Sequence, residues 1–130
     1  MIVSLHIATG AAAGALLGSR RAALLAGPLL HLAGDRMPHW DVASERFEKW
    51  SGLGLLTALA VTRGPLDPAT LGAFAAEAPD IEHVVRLPRP GGRKLFPSHR
   101  FHGWHRSGGV RTGAQVLAAG VLVGLLLRRP

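Results

Sequence analysis

Long uncharged apolar runs constrain the fold of this chain more than any other feature of its sequence. The two longest cover residues 2–19 and 112–127. They approach the length that crosses the hydrocarbon core of a bilayer, about 20 residues. In lipid such a run forms a helix, because a helix pairs its backbone groups internally. The pattern predicts an all-α fold: a small integral-membrane helical bundle with about three spanning helices and shorter packed or re-entrant helices.

The chain is expected to form one domain over residues 1–130, since its length suits a single core. Within this domain the polar connecting region is rich in His and Asp. The expected apolar helices cover about residues 2–19, 22–35, 51–62 and 112–127, and the connecting region covers residues 63–111.

The net charge of +7 suits either nucleic acid or an anionic membrane surface. Nucleic-acid modules interleave basic residues with stacking aromatics, but aromatics make up only 5% of this chain. We therefore expect the lipid bilayer as a partner and no nucleic acid. Most basic residues lie between Arg36 and Arg111, which predicts a site facing the cytoplasm from the plasma or inner membrane. No Lys or Arg precedes Arg20, so a cleaved secretory signal is not expected.

The stretch HLAGDRMPHWD holds the first group of candidate metal ligands. His31 and Asp35 are four positions apart, so they share one face if the preceding helix continues through them. Pro38 should end that helix and return His39 and Asp41 to the same end. The chain has no cysteine, so any metal must be bound by nitrogen and oxygen.

Two later stretches, APDIEH and SHRFHGWHRS, hold further candidates. Asp80 and His83 are three positions apart on an expected short helix, so both can reach one ion. His99, His102 and His105 also recur every three residues. Two of these three histidines can share one metal, whereas all three would need a non-helical turn.

His6 lies within the first apolar run, where an ionisable side chain usually faces a partner or a cavity. The second helix should return antiparallel to the first and bring His31 to the level of His6. The same two histidines are candidates for an axial haem pair, which is one alternative. Pro97-Ser98-His99 suggests another, a lipid phosphatase of the histidine-phosphatase type, although that family's glycine is missing.

Taken together, these motifs resemble those of the YdjM-like family of membrane-bound, metal-dependent hydrolases. The family pattern has an early His in the first apolar helix, a Pro-Asp-x-Asp-His element and a later His-Arg element that ends in Thr-His-Ser. This chain has Glu in place of the second Asp and lacks the Thr-His-Ser triplet. The matching residues are His6, then Pro79, Asp80, Glu82 and His83, and then His99, Arg100 and either His102 or His105.

The resemblance and the His and carboxylate donors together predict a hydrolase with a divalent metal, zinc or manganese. An ion with an open position activates water, so the expected substrate is an ester or phosphoester, including a lipid. The expected catalytic residues are Asp80 and His99. The expected metal ligands are His6, His31, Asp35, His39, Asp80, His83, His99 and His102.

The candidate ligands can form a single site only if the segment 51–62 does not cross the bilayer. If that segment crosses the bilayer, the two groups of candidates end on opposite faces, so it must be re-entrant or packed on the bundle. The main alternative function is a non-catalytic membrane scaffold. Its basic loop, residues 86–111, would bind anionic lipid or a protein partner.

Overall fold

The computed structural model describes residues 1–128, so the last two positions of the expected domain lie outside the described range. The described chain is helical, and short 3-10 turns follow α4 and precede α6 below. The α-helices are α1 (Val3–Leu17), α2 (Arg20–Arg36), α3 (Glu45–Arg63), α4 (Pro68–Glu77), α5 (Ile81–Val84), α6 (Pro97–Arg100) and α7 (Thr112–Leu127).

The expectation of membrane-spanning helices is wrong: within residues 1–128, no helix is both long and apolar enough to cross a bilayer. The most apolar helices, α1 and α7, have 15 and 16 residues. At roughly 1.5 Å per residue they measure about 22–24 Å, short of the ~30 Å hydrocarbon core. The longest helix, α3, begins with charged residues. The predicted location in a plasma or inner membrane, with a cytoplasmic site, required such spans and is therefore wrong as well.

The apolar character of α1 has another cause, which is burial among protein helices. It contacts α2, α3, α4 and α7, and a helix surrounded on its sides is apolar all round. Neighbouring backbone approaches α1 closely at Gly10 and Gly14. A Cβ on Gly10 would lie 2.3 Å from the carbonyl oxygen of Gly72, and one on Gly14 would lie 2.0 Å from that of Pro68. Gly18 instead ends α1 in the left-handed conformation, with φ of 60°.

The second helix behaves as its sequence indicates. The Ser19 hydroxyl accepts a hydrogen bond from the backbone N–H of Ala22 at the start of α2. The helix continues through Pro28 and ends at Arg36. It therefore carries the predicted pair of ligands on one face and stops just before Pro38.

The chain after α2 is tied to the loop that precedes α7. The backbone N–H of His39 donates to the carbonyl of Arg106 at 3.1 Å, and that of Trp40 donates to the carbonyl of Val110 at 3.0 Å. These bonds hold the loop against the end of α2. His105 is consequently fixed beside the candidate site.

The segment 51–62 belongs to the longer helix α3, which packs against α1, α4 and α7. Ser44 caps α3 by accepting from the N–H of Phe47 at 3.2 Å. Asp67 caps α4 by accepting from the backbone N–H of Ala69, with Pro68 at the first helical position. Because α3 lies along the bundle, the early and late groups of candidate ligands meet at one end, and the condition for a single site is met.

Candidate metal centre

Side chains from α1, α2, α6 and two connecting segments meet at the end of α2. His6, His31 and Asp35 are buried there, with exposures of 0, 0 and 1%. These three side chains come from α1 and α2, two helices that pack against each other, so their positions do not depend on a loop. The group, here called the His/Asp cluster, comprises His6, His31, Asp35, Asp80, His99 and His105.

Asp35 lies at the centre of the cluster. Its Oδ1 is 3.0 Å from His6 Nε2, and its Oδ2 is 3.0 Å from His31 Nε2 and 3.2 Å from His105 Nε2. Burial by itself would raise the pKa of this carboxyl, but hydrogen bonds from the surrounding histidines outweigh burial and lower the pKa. Asp35 is therefore ionised at neutral pH.

His31 is oriented by a hydrogen bond outside the cluster. Its Nδ1 donates to the carbonyl oxygen of Ala76 at 2.7 Å. Its Nε2 then faces inward, 3.0 Å from Asp35 Oδ2, 3.6 Å from Asp80 Oδ1 and 3.4 Å from His99 Nε2. Two ring nitrogens and two carboxylates thus surround one small volume.

His99 is oriented in the same manner by a carboxylate. Glu82 Oε1 accepts from His99 Nδ1 at 2.5 Å. Glu82 is itself held by the backbone N–H groups of Leu95 and Phe96, at 2.7 and 3.3 Å. His99 Nε2 is thereby directed inward and lies 3.1 Å from Asp80 Oδ1.

His99 and His6, two histidines of the cluster, differ in charge. Burial lowers the pKa of His99, but hydrogen bonds to Asp35, Asp80 and Glu82 outweigh it and raise the pKa to about 9. For His6, burial dominates and lowers the pKa to about 4. At neutral pH the metal-free cluster therefore holds His99 as a positively charged imidazolium and the buried His6 as a neutral imidazole.

His39, another predicted ligand, lies beside the cluster rather than within it. It is buried, but its Nδ1 donates to the carbonyl of Met37 at 2.6 Å and its Nε2 is 3.1 Å from Asp41. The α-amino group of Met1 lies between His39 Nε2, at 2.6 Å, and Asp35 Oδ1, at 3.0 Å. The structure thus connects His39 to the cluster through this amino group and through an edge-to-face contact with the ring of His105, with centroids 5.6 Å apart.

The remaining predicted ligands lie at the rim or outside. His83 Nε2 is 3.8 Å from Asp80, and the His83 side chain is 44% exposed and contacts the Lys94 ammonium at 2.9 Å. His102 is exposed and makes no short contact with the cluster. The sequence left open whether His102 or His105 belongs to the site. The structure brings His105 to the cluster and leaves His102 outside.

The expected ligands and catalytic residues left out two carboxylates near the cluster, one of which, Glu82, the sequence had matched to the family element. Glu82 orients His99, and its signal was its position in the Pro-Asp-x-x-His stretch beside Asp80. Glu77 ends α4 and lines the cavity next to the cluster. Nothing in the local sequence distinguishes Glu77 from an ordinary surface glutamate, because only the packing of α4 buries it.

These residues can hold a metal ion. Neither Asp35 Oδ2 nor His6 Nδ1 has a hydrogen-bond partner of good geometry, although both are buried. Such groups are costly unless a cation or water satisfies them. In each of three sets, the ligand atoms lie within 4.8 Å of one another: His6, His31 and Asp80; His31, Asp35 and His99; and Asp80, His83 and His99.

The haem alternative conflicts with the geometry. The rings of His6 and His31 stack with centroids 3.9 Å apart, which leaves no space for a porphyrin between them. The fold and the site together define a helical protein with a buried His/Asp cluster that can bind a metal. Comparison with protein-family models, curated proteins and solved structures yields no match.

Replacing Glu77 with glutamine should stabilise the metal-free protein at alkaline pH. Burial, reinforced by the negative charges of Asp80, Glu48 and Asp35, raises the pKa of Glu77 from 4.5 to about 9. A folded pKa above the unfolded one means that stability is full below pH 4.5 and is lost as the pH rises toward 9. Glutamine removes this loss, so we expect a gain of about 1–3 kcal/mol at pH 8.

Urea unfolding in the presence of a chelator, at pH 4.5 and pH 8, measures this effect. The gain should be smaller at the lower pH, where Glu77 is protonated in the folded protein and about half protonated in the unfolded chain. Glu45→Gln is the matched control, because the Glu45 side chain is 90% exposed and should show no such pH dependence. An equal gain at both pH values would contradict the assignment to ionisation.

Proposed function

We propose that this protein is a metal-dependent hydrolase that cleaves an ester or a phosphoester. The observation that carries the proposal is the shared orientation of His31 and His99. Each ring donates Nδ1–H to a fixed acceptor outside the cluster and directs Nε2 toward the carboxylates of Asp35 and Asp80. Histidines that bind metals are held in this manner, since the outer bond fixes the tautomer and leaves the Nε2 lone pair for the ion.

Zinc and manganese suit this donor set, which offers imidazole and carboxylate but no thiolate. His31, Asp35 and His99 would hold an ion on the buried side, and Asp80 and His83 would complete its surroundings toward solvent. When bound, a divalent ion lowers the pKa of a water molecule and polarises the carbonyl or phosphoryl oxygen of a substrate.

Asp80 and His99 are the proposed catalytic residues. Asp80 is 19% exposed and borders both the cluster and the adjacent cavity, so it can take a proton from the attacking water. His99 lines the same cavity and is held against Asp80 by Glu82. The motif resemblance to the YdjM-like hydrolases supports the same residues but supplies no substrate.

Metal analysis of the purified protein tests the proposal. After expression in zinc- and manganese-supplemented medium, we expect stoichiometric metal and metal-dependent hydrolysis of p-nitrophenyl acetate or bis(p-nitrophenyl) phosphate. Asp80→Ala and His99→Ala should lower the metal affinity at least about 10-fold, because each removes an inward-facing donor. Hydrolysis should fall with the metal.

His102→Ala is the matched control, because it removes an exposed histidine from the same stretch as His99. It should keep both the metal and the activity. A wild-type protein that binds no metal would sink the proposal. That result would favour the non-catalytic alternative, in which the basic loop over residues 86–111 binds an acidic protein partner.

A further inference from the structure

A cavity of about 630 Å³ opens beside the His/Asp cluster. This volume is within the range of small-molecule sites, roughly 300–1,000 Å³. Asp35, Asp80, His99 and His105 line part of it. A substrate bound there would touch the same carboxylates and imidazoles that we assign to metal binding, so the cavity is the natural place for the rest of the substrate.

The other part of the lining is mainly apolar and comes from separate elements. Leu53 and Leu56 are about one turn apart on α3, and Gly52 lies beside them. A Cβ on Gly52 would lie 2.6 Å from Val3 Cγ1, so α3 approaches α1 closely there. The apolar lining includes Ile2, Val3, Val42, Leu53, Leu56 and Val84. Such a surface binds a hydrocarbon chain through burial.

The charges of the lining select against an anionic substrate. Asp41, Glu45 and Glu48 line the cavity outside the cluster, whereas Lys49 lines it as a basic residue and pairs with Glu45 at 3.4 Å. Like charge disfavours a ligand that carries its own carboxylate or phosphate beyond the metal. A neutral head group avoids this repulsion.

We propose that the substrate is a neutral carboxylic ester with an apolar acyl chain, which lies along α3 while the ester group reaches Asp80 and His99. This inference rests on the proposed hydrolase function. In the reaction, the oxygen of water bonds to the acyl carbon and the bond from that carbon to the alcohol oxygen breaks. One proton of the water ends on the alcohol, and the product acid releases another to solvent.

Acyl chain length provides the test. The metal-loaded protein is given p-nitrophenyl acetate and p-nitrophenyl octanoate, and bis(p-nitrophenyl) phosphate serves as the anionic comparison. Each buried methylene contributes about fourfold, so partial burial should raise kcat/KM for octanoate at least about 20-fold over acetate. Titration calorimetry with acetohydroxamic and octanohydroxamic acids measures the same preference as binding, without turnover.

Leu53→Trp fills the cavity, and Val61→Trp is its matched control. Both residues are exposed positions of α3, at 57 and 79%, but only Leu53 lines the cavity. We expect Leu53→Trp to lose the octanoate preference while it keeps the metal, and Val61→Trp to keep both the metal and the preference. Val84→Trp, from another wall and 65% exposed, provides a second occluding variant if Leu53→Trp folds poorly.

The outcomes separate the two proposals. If the wild type binds metal and cleaves acetate and octanoate equally, the acyl-chain inference is overturned and the hydrolase proposal stands. A preference for the anionic phosphodiester over both esters has the same consequence. If the wild type binds no metal and cleaves none of the three compounds, the hydrolase proposal fails and the inference fails with it.

Discussion

Replacing Asp35 with asparagine is expected to lower the affinity for zinc roughly 100-fold or more, the largest effect of any single substitution at the cluster. Both carboxylate oxygens of Asp35 face histidine nitrogens, at 3.0 Å from His6, 3.0 Å from His31 and 3.2 Å from His105. Asparagine keeps the shape but replaces one oxygen with an NH₂ group and removes the negative charge. An amide nitrogen cannot bind a cation, and an uncharged oxygen binds it more weakly.

Competition with a chromophoric chelator measures the affinity. Asp41→Asn is the matched control, since Asp41 comes from the same stretch but is 73% exposed and pairs only with His39 among the described contacts. It should change the affinity by less than about threefold. Equal loss in both variants would contradict a special role for Asp35, and so would unchanged affinity in Asp35→Asn with a native circular dichroism spectrum.

Replacing Gly72 with alanine is expected to lower the free energy of unfolding by about 2–3 kcal/mol. Here α1 and α4 meet backbone to backbone: a Cβ on Gly72 would lie 2.3 Å from the carbonyl oxygen of Gly10. Because both helices are held by further neighbours, they can separate only by disturbing other contacts. The higher helix propensity of alanine, worth up to about 1 kcal/mol, offsets part of the cost.

Gly54→Ala shows the propensity effect alone, because a Cβ there meets no atom within 4 Å. This control should raise the stability by up to about 1 kcal/mol. Urea unfolding of the metal-free proteins followed by circular dichroism measures both. A stabilised Gly72→Ala variant would show that the α1–α4 contact is looser than the structure indicates.

Local signals predicted several elements of the fold and site. Asp67 before Pro68 specified the start of α4, and the i, i+4 spacing of His31 and Asp35 placed both on one helical face. Capping and helical periodicity act within one or two turns, so the sequence states them directly. The absence of cysteine limited any metal to nitrogen and oxygen ligands, because composition is read directly from the sequence.

Long-range features were not readable in this way. Whether His102 or His105 joins the cluster depends on backbone hydrogen bonds between residues 39–40 and 106–110, which no periodicity encodes. The role of Glu82 depends on the return of α6 toward α5, which brings His99 to it. The path of the loop thus decides which of two histidines close in the sequence reaches the cluster.

By itself, the sequence determined that the chain is helical and that His31 and Asp35 share one face of a helix. Tertiary structure decided what surrounds the apolar helices and which ligands converge. A run such as that of α1 is apolar all round whether its neighbours are lipid chains or helices, so composition could not separate the two environments. Helix length and packing separate the two environments, because α1 stops before Gly18 and contacts four other helices of the protein.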